Sequence, residues 1–473
     1  MSDNDCMDKG AYIQQLETEN AALKQRIQLL EKRLEELERR LGMQSQNSSR
    51  PPSSDPPGTP LLAPHHRHTK RGARKGHPPH LRALMPPEKV TQYTVLVPRL
   101  CPCGSERLDK TPEEPIRHQI VDLPTIRPEV TEYVQPCYRC RDCGAVVYQP
   151  LPAEIQRCHF GPGLLAWVGI LTGMVNTSKR KALMVIEEGL GIPMSLGGLI
   201  ACEEQITHAL ANPHQELLDS VRQQPTAHAD ETGWPRGNRQ KGWLWTLCCT
   251  TAAVFVIQAG RGQTAAQKLL GTFSGILHCD RWSGYNIFEG MRQLCWAHLK
   301  RDFQALSETK GVMGQIGSEL LTVANQILRL RKRVRDGTLL WKTFQTRMEP
   351  LMRRVETLLE RGADRRQTLS GQCRRIFNMR QHLWAFVRNA RVEPTNNRAE
   401  RVIRQAVLWR KGSLGTQSER GARYAERILS VCATCRLQGQ SIIAYLRDAC
   451  RCHKNGLPVP SLIPTILNLA NIA

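Results

Sequence analysis

Thr226-Ala-His-Ala-Asp230-Glu231-Thr-Gly-Trp234 is a short β-prone run that ends in two acids. Two further strand-like runs follow it, Lys241 to Thr250 and Ala253 to Ala259, joined by short turns. Gln263 to Phe273 suits a helix. Gly275-Ile-Leu-His-Cys-Asp280 is a fourth short apolar run, and it too ends in a carboxylate. Lengths of this kind, bounded by Gly and polar clusters, are the signature of strands rather than of buried helices.

The order β-β-β-α-β, with acids on the first and fourth strands, is that of a ribonuclease-H-like α/β core. In that arrangement the two strands are neighbours, so Asp230 and Asp280 are expected side by side. Paired carboxylates at one sheet edge suit Mg²⁺ or Mn²⁺, which prefers few protein carboxylates together with water and phosphate oxygens. Two such ions about 3.5–4 Å apart activate a water or 3′-hydroxyl and stabilise the leaving oxygen of a phosphodiester. A third acid is expected from a later helix. Glu289 follows Asp280 too closely to return from one. Glu400, in Glu393-Pro-Thr-Asn-Asn397-Arg-Ala-Glu400-Arg401, is the better candidate, with Asn397 capping its helix. The bland alternative makes Asn397 and Glu400 a capping pair and nothing more. Glu231 points to the opposite strand face from Asp230 and is a secondary candidate.

Around this core, over residues 223–303 and 392–435, the chain divides into distinct stretches. Residues 10–42 carry four heptads, with Ile13, Asn20, Ile27, Leu34 and Leu41 at a and Leu16, Leu23, Leu30 and Leu37 at d. The opposite-sign pairs Glu19/Lys24, Arg26/Glu31 and Arg33/Glu38 match g to e of a partner. This pattern predicts a parallel homodimeric coiled coil, a rod roughly 40 Å long. Residues 43–92 are Pro-rich and then basic, with Arg67, Lys70, Arg71, Arg74, Lys75 and Arg82 and no acid between His65 and Arg82. Such a tether lies along phosphates by counterion release or is a solvated linker.

Residues 93–150 hold Cys101-Pro-Cys103-Gly and Cys137-Tyr-Arg-Cys140-Arg-Asp-Cys143-Gly. Two cysteine pairs, each followed by Gly, fit a structural Zn²⁺ ribbon with Cys101, Cys103, Cys140 and Cys143 as ligands. The first pair is one residue tighter than usual, and Cys137 is a spare ligand. The alternative is a small β-domain with reduced thiols. Residues 151–222 are helical. The run Lys181 to Leu190, Gly191 to Ser195 and Leu196 to Leu210 has the outline of a helix-turn-helix, which also occurs in bundles that bind nothing. Residues 304–391 read as a helical insertion dense in Arg, including Arg329, Arg331, Arg333 and Arg335, and residues 436–473 as a helical tail.

Composition bounds the function. The 473 residues carry 66 Lys and Arg against 43 Asp and Glu, a net charge of +23, which calls for a polyanionic partner. The apolar run Gly163 to Val175 is shorter than the roughly 20 residues of a membrane-spanning helix. Met1 to Lys9 is polar and acidic, so no secretory signal is expected, the location is read as cytoplasmic, and the 17 cysteines as reduced.

His-Ala-Asp230-Glu231-Thr-x-Trp, Asp280-x-x-x-x-Tyr285, Cys295-Trp-Ala-His298-x-x-Arg301-Asp-Phe303 and Asn396-Asn397-x-Ala-Glu400-Arg401 together resemble the catalytic domain of the insertion sequence 66 family of transposases. The cysteine ribbon, basic linker and zipper resemble that family's other parts in the same order. The resemblance covers about residues 10–450. It implies a bacterial insertion-sequence enzyme of the DDE type, with Asp230, Asp280 and Glu400 binding divalent metal. It implies cleavage at the element's terminal inverted repeats and transfer to target DNA, with small accessory proteins as further partners. Cys295 and His298 match a Cys-x-x-His signature and are expected to support the site. Arg401 shares the Glu400 helix and is expected to meet phosphate. Two other readings suit parts of the sequence: a zipper-dimerised, zinc-containing DNA-binding regulator with an inert core, and a structure-specific endonuclease of the same fold class.

Overall fold

The computed structural model describes residues 4–41, 83–152, 155, 159–237, 240–364 and 370–463. The first helix, α1 (Asn4–Leu41), begins before the first heptad and runs to the last residue described in this stretch. Ile13, Leu16, Leu23, Ile27, Leu30 and Leu34 form its a/d stripe and are 40 to 59% exposed within one chain. The cations expected between His65 and Arg82 lie outside the described residues. A small antiparallel hairpin, β1 (Tyr138–Arg139) with β2 (Val146–Val147), closes the second cysteine pair.

The helical block comprises α2 (Pro162–Gly169), α3 (Lys179–Met184), α4 (Leu196–Ala209) and α5 (Ala211–Arg222). Ser178 and Ser195 cap α3 and α4, the Ser195 Oγ accepting from the Gly198 amide at 3.1 Å. These hydroxyls satisfy donors that the first turn leaves unpaired. The outline expected of a helix-turn-helix is thus present. However, the exposed positions of α4 are Leu196, Gly197, Ala201, Glu204 and His208, with Glu204 paired to Arg420. The helix brings neither Lys nor Arg to a phosphate, and its apolar face, with Leu199, Cys202 and Ile206, sits in the main core.

Five strands form one mixed sheet: β3 (Thr226–Gly233), β4 (Trp243–Cys248), β5 (Ala253–Gln258), β6 (Ile276–Cys279) and β7 (Arg292–Leu294). The crossover between β5 and β6 is α6 (Gln263–Leu270). The order is β5-β4-β3-β6-β7. Strand β4 runs antiparallel to both β3 and β5, while β6 is parallel to β3, and β7 to β6. The strands of Asp230 and Asp280 are therefore adjacent, as the sequence order required.

The sequence reading missed β7. Its three residues include buried Arg292 and Gln293, which no apolar pattern reveals. Gln293 belongs there because its amide is satisfied: Nε2 donates to the carbonyls of Leu294 (2.8 Å) and Leu383 (3.1 Å), and Oε1 accepts from the Phe386 amide (2.9 Å).

After the sheet come α7 (Trp296–Ser307), α8 (Gly311–Arg335), α9 (Trp341–Gly362), α10 (Ser370–Asn378) and α11 (Ala385–Arg388), then α12 (Asn397–Ser413), α13 (Glu419–Gln438) and α14 (Ile442–Lys454). The two sheet faces separate by strand parity. Trp245, Leu247 and Val254 face the main core with Ala265, Ala266 and Leu269 of α6. Leu244 and Phe255 face Ile403 and Ala406 of α12 and Ala425 and Leu429 of α13.

The α13 helix also closes the free edge of β5. Thr434 Oγ1 accepts from the Ala253 amide (3.1 Å), Ser430 Oγ from Phe255 (2.9 Å) and Glu426 Oε1 from Ile257 (2.6 Å). Four helical residues rise about 6 Å and two strand residues about 6.8 Å, so one helix face can serve alternate amides of an edge strand. Ile428 of α13 meets the helical block at Gly173, where an added Cβ would lie 2.4 Å from Ile428 Cγ1, so the block and the last helices share one core. Among the described residues no helix is long and apolar enough to cross a membrane.

Candidate active site

The parallel register sets His228 of β3 against His278 of β6. Two residues further on come Asp230, within β3 and on the face of that histidine pair, and Asp280, the residue that follows β6 and whose charge reaches Asp230. The imidazoles stack at 3.9 Å and mark this face. Burial drives both to the neutral form, His228 down to about 2 and His278 to about 4. Across the antiparallel pair, Asp230 lies opposite Thr246 and His228 opposite Cys248. Cys248 packs with Ala399, so α12 covers this face and carries Glu400 next to that alanine.

The aspartates are electrostatically frustrated. Burial raises Asp230 well above the ordinary 3.8, and the nearby charges of Glu231, Asp280 and Glu400 raise it further. Burial also raises Asp280, against the Trp282 amide and the cations Arg261, Arg281 and Arg301. Asp230 Oδ1 accepts its neighbour's amide, Glu231 N–H, at 2.9 Å, and Asp280 Oδ1 accepts from Trp282 at 2.8 Å. Among the described residues neither forms an ion pair. Carboxylates crowded and desolvated in this way are a donor set suited to a hard cation.

A carboxyl whose folded value exceeds its unfolded value is easiest to bury when protonated. Its penalty begins as pH rises past 3.8 and grows until the folded value is reached. Asp230→Asn is therefore expected to stabilise the protein in magnesium-free buffer at pH 8, by on the order of 1–2 kcal/mol. The gain should fade toward pH 4. The histidines act oppositely, losing stability below 6.5, but they do so in both proteins. Calorimetry across this range checks it; an unchanged or lower unfolding temperature at pH 8 refutes it.

The segment before α12 corrects one expectation. The N-cap residue is Asn396, and Asn397 is the exposed first residue of the helix. Asn396 does not cap with its side chain. It is buried, donates from Nδ2 to the Ala229 carbonyl (2.7 Å) and places Oδ1 3.0 Å from His228 Nδ1. Its backbone amide donates to Cys295 Sγ at 3.1 Å. Cys295 in turn donates its amide to the Cys279 carbonyl at 3.0 Å, immediately before Asp280. One buried network thus joins the middle of β3, which runs on past its acids to Gly233 rather than ending at them, and the end of β6 to the starts of α7 and α12.

Glu400 lies in the first turn of α12, with Oε1 3.5 Å from His298 Nδ1. Burial keeps His298 neutral, at about 3, helped by Arg301 and Arg281. Burial raises the Cys295 thiol to about 11. Arg401 and Arg404 are exposed on α12, while Arg410 ties it to β3 through Thr232 Oγ1 (2.9 Å) and the Gly233 carbonyl (2.6 Å).

Glu231 faces the other side, opposite Trp245, as strand parity required. It is fully committed there, accepting from Arg261 (2.8 and 3.0 Å) and from the Tyr285 hydroxyl (2.6 Å). Arg261 is held between Trp243 and Trp282, at 4.7 and 4.8 Å from their rings. Arg331 differs from Arg329, Arg333 and Arg335 of the same helix, which are exposed. It is buried, donates to the carbonyls of Ala390 (2.7 Å) and Val392 (3.1 Å), and lies 3.6 Å from Glu393. α8 thereby fixes the stretch of chain that leads to Glu400. Arg261, Arg331 and Asn396 were not singled out for these roles by sequence, because each is defined by partners far along the chain.

In the ribbon region each cysteine pair forms its own turn. The Cys101 amide donates to the Ser105 carbonyl (2.9 Å) and Gly104 to Cys101 (2.8 Å); likewise Cys140 donates to Ala145 (2.8 Å) and Gly144 to Cys140 (3.0 Å). Gly104 and Gly144 adopt φ of +89° and +72°, conformations that suit Gly. The first turn simply closes one residue sooner. Amides aimed at sulfur lower the Cys103 and Cys140 thiols: those of Ser105, and of Cys143 and Asp142. Thiolate-favouring turns fit zinc. The sulfurs are grouped by turn; no three of the five cysteines, Cys137 included, gather within 4.8 Å.

Residues 157–424 match the family described as Transposase IS66 family, and residues 98–144 the zinc-finger binding domain of transposase IS66. Residues 7–83 match a family of unknown function, DUF6444. The chain is 26% identical over 406 residues to the uncharacterized protein y4hP of Sinorhizobium fredii, covering 76% of this chain and 72% of the relative. It is 27% identical over 277 residues to the uncharacterized y4qI (52% and 51% covered) and 22% over 419 residues to y4jD (80% of each), from the same organism.

Proposed function

The chain belongs to the IS66 transposase family, and on that footing we propose that it cuts and joins DNA with Asp230, Asp280 and Glu400 as its metal-binding acids. The observation that carries this reading is the meeting of Asp230, Asp280 and α12 on one sheet face, with both aspartates raised in pKa and free of ion pairs among the described residues. The strand order β5-β4-β3-β6-β7, with β6 parallel to β3, supports a ribonuclease-H-like core interrupted by the helical insertion.

Asp230 and Asp280 would hold Mg²⁺ or Mn²⁺, with Glu400 as the third ligand after a turn of its side chain. The bound ions supply activation of the attacking oxygen and stabilisation of the leaving one. The protein does the positioning. Asn396, Cys295 and Arg331 fix the carriers of the acids relative to one another. Arg261 and Tyr285 hold Glu231 away from that set. Arg401 and Arg404, both exposed on α12, would bind DNA phosphate near Glu400. In the first step water attacks the scissile phosphate and the 3′-oxygen leaves. In the second, that 3′-hydroxyl attacks a target phosphate, and the target's 3′-oxygen leaves. The zinc-finger domain and the net charge of +23 support DNA as the partner.

Cleavage is tested with purified full-length protein and DNA carrying the sequences that flank the gene. Metal-dependent nicking followed by 3′-end joining is expected. Tight, salt-sensitive binding without any cutting, in Mg²⁺ and in Mn²⁺, would favour the DNA-binding regulator.

The exposed a/d stripe of α1 supports a parallel homodimer. Leu23→Lys with Leu30→Lys is expected to halve the mass seen by sedimentation at micromolar concentration. An unchanged mass would remove the zipper from the proposal.

A further inference from the structure

Cys295, His298 and Glu400 each turn one ligand atom toward the others, all within 4.8 Å. This trio is not the carboxylate set: it has one sulfur, one nitrogen and one oxygen. Three features mark it as built rather than incidental. His298 Nδ1 and Glu400 Oε1 are buried, stand 3.5 Å apart, and have no hydrogen-bond partner among the described residues. Cys295 is the residue before α7 and His298 lies in its first turn, so the Cys-x-x-His spacing places both at one helix end. The Cys295 amide is tied to Cys279 and its sulfur to Asn396 N–H, which fixes the thiol in place.

We propose that Cys295, His298 and Glu400 form a binding site for a borderline-soft divalent cation such as Zn²⁺. Thiolate, imidazole and carboxylate are the ligand types zinc takes, and three protein ligands leave a position for water. Mg²⁺ is disfavoured, since it requires oxygen donors. Binding forms the sulfur–metal bond and releases the Cys295 thiol proton to solvent. Where Glu400 also serves the aspartates, a point that rests on the function proposed above, zinc held here withholds it from them.

The test is metal content of the full-length protein after zinc loading and gel filtration, which involves no DNA and is read independently of cleavage. Cys295→Ser, which keeps an acceptor for Asn396, and Glu400→Gln are each expected to lose one zinc per chain relative to wild type. In Co²⁺-loaded protein the visible bands contributed by this site should shrink in both variants, while Cys140→Ser with Cys143→Ser should leave them. Both variants retaining wild-type zinc content and an unchanged cobalt spectrum would overturn the site. Loss of zinc in Cys295→Ser alone would overturn Glu400 as a ligand.

Discussion

Asp280→Asn is expected to lower metal-dependent cleavage by on the order of a thousandfold or more while leaving DNA affinity within about twofold. The amide is nearly isosteric. Its Oδ1 can still accept from the Trp282 amide, the bond that sets the turn after β6. What it loses is the negative charge beside Asp230, the feature that suits the pair to a cation. Glu400→Gln should behave alike if Glu400 completes the set. Cleavage is read on gels against binding by electrophoretic shift. A variant that cuts at the wild-type rate would remove Asp280 from the proposed mechanism, and a variant that neither cuts nor binds would point to misfolding instead.

Trp296→Ala is expected to cost about 3–5 kcal/mol of stability. Trp296 is fully buried at the start of α7. Its ring lies 5.2 Å from Trp384 and 6.1 Å from Phe386, and its Nε1 donates to the Leu383 carbonyl at 3.0 Å. Its amide donates to the Pro394 carbonyl at 2.9 Å, two residues before Asn396. The substitution thus empties the joint between the sheet, the chain from Leu383 to Phe386 and the approach to α12. Urea unfolding should show the lower midpoint, with Trp296→Phe losing less. A midpoint within the range of a surface substitution would show that the joint tolerates the cavity.

These features differ in how far the sequence revealed them. The adjacency of the strand that carries Asp230 and the strand that leads into Asp280 was legible, because it follows from the order of the strand-like runs; that β3 continues past its acids to Gly233 was not. The orientation of Glu231 was legible from strand parity alone. Asn396 was not, because Asn396 and Asn397 are identical in type and only the backbone decides which one starts the helix. Arg331 looked like its exposed neighbours Arg329, Arg333 and Arg335, because the carbonyls that hold it are about 60 residues away in sequence. β7 was hidden because two of its three residues are polar: Gln293 is matched by the chain around Leu383 and Phe386, and Arg292 by Asn286.

The closure of β5 by α13 has a consequence for biosynthesis. The hydroxyl that accepts the Ala253 amide belongs to Thr434, 181 residues later. A ribosome adding about 5–20 residues per second leaves an interval of about 9–36 s in which the run Ala253-Val-Phe-Val-Ile257 has an unsealed rim. Alternating amides on an apolar strand are a template for pairing with other chains. Production of this protein should therefore gain from conditions that shield nascent chains, such as co-expressed holding chaperones, and that gain should disappear for chains added back after α13 has docked.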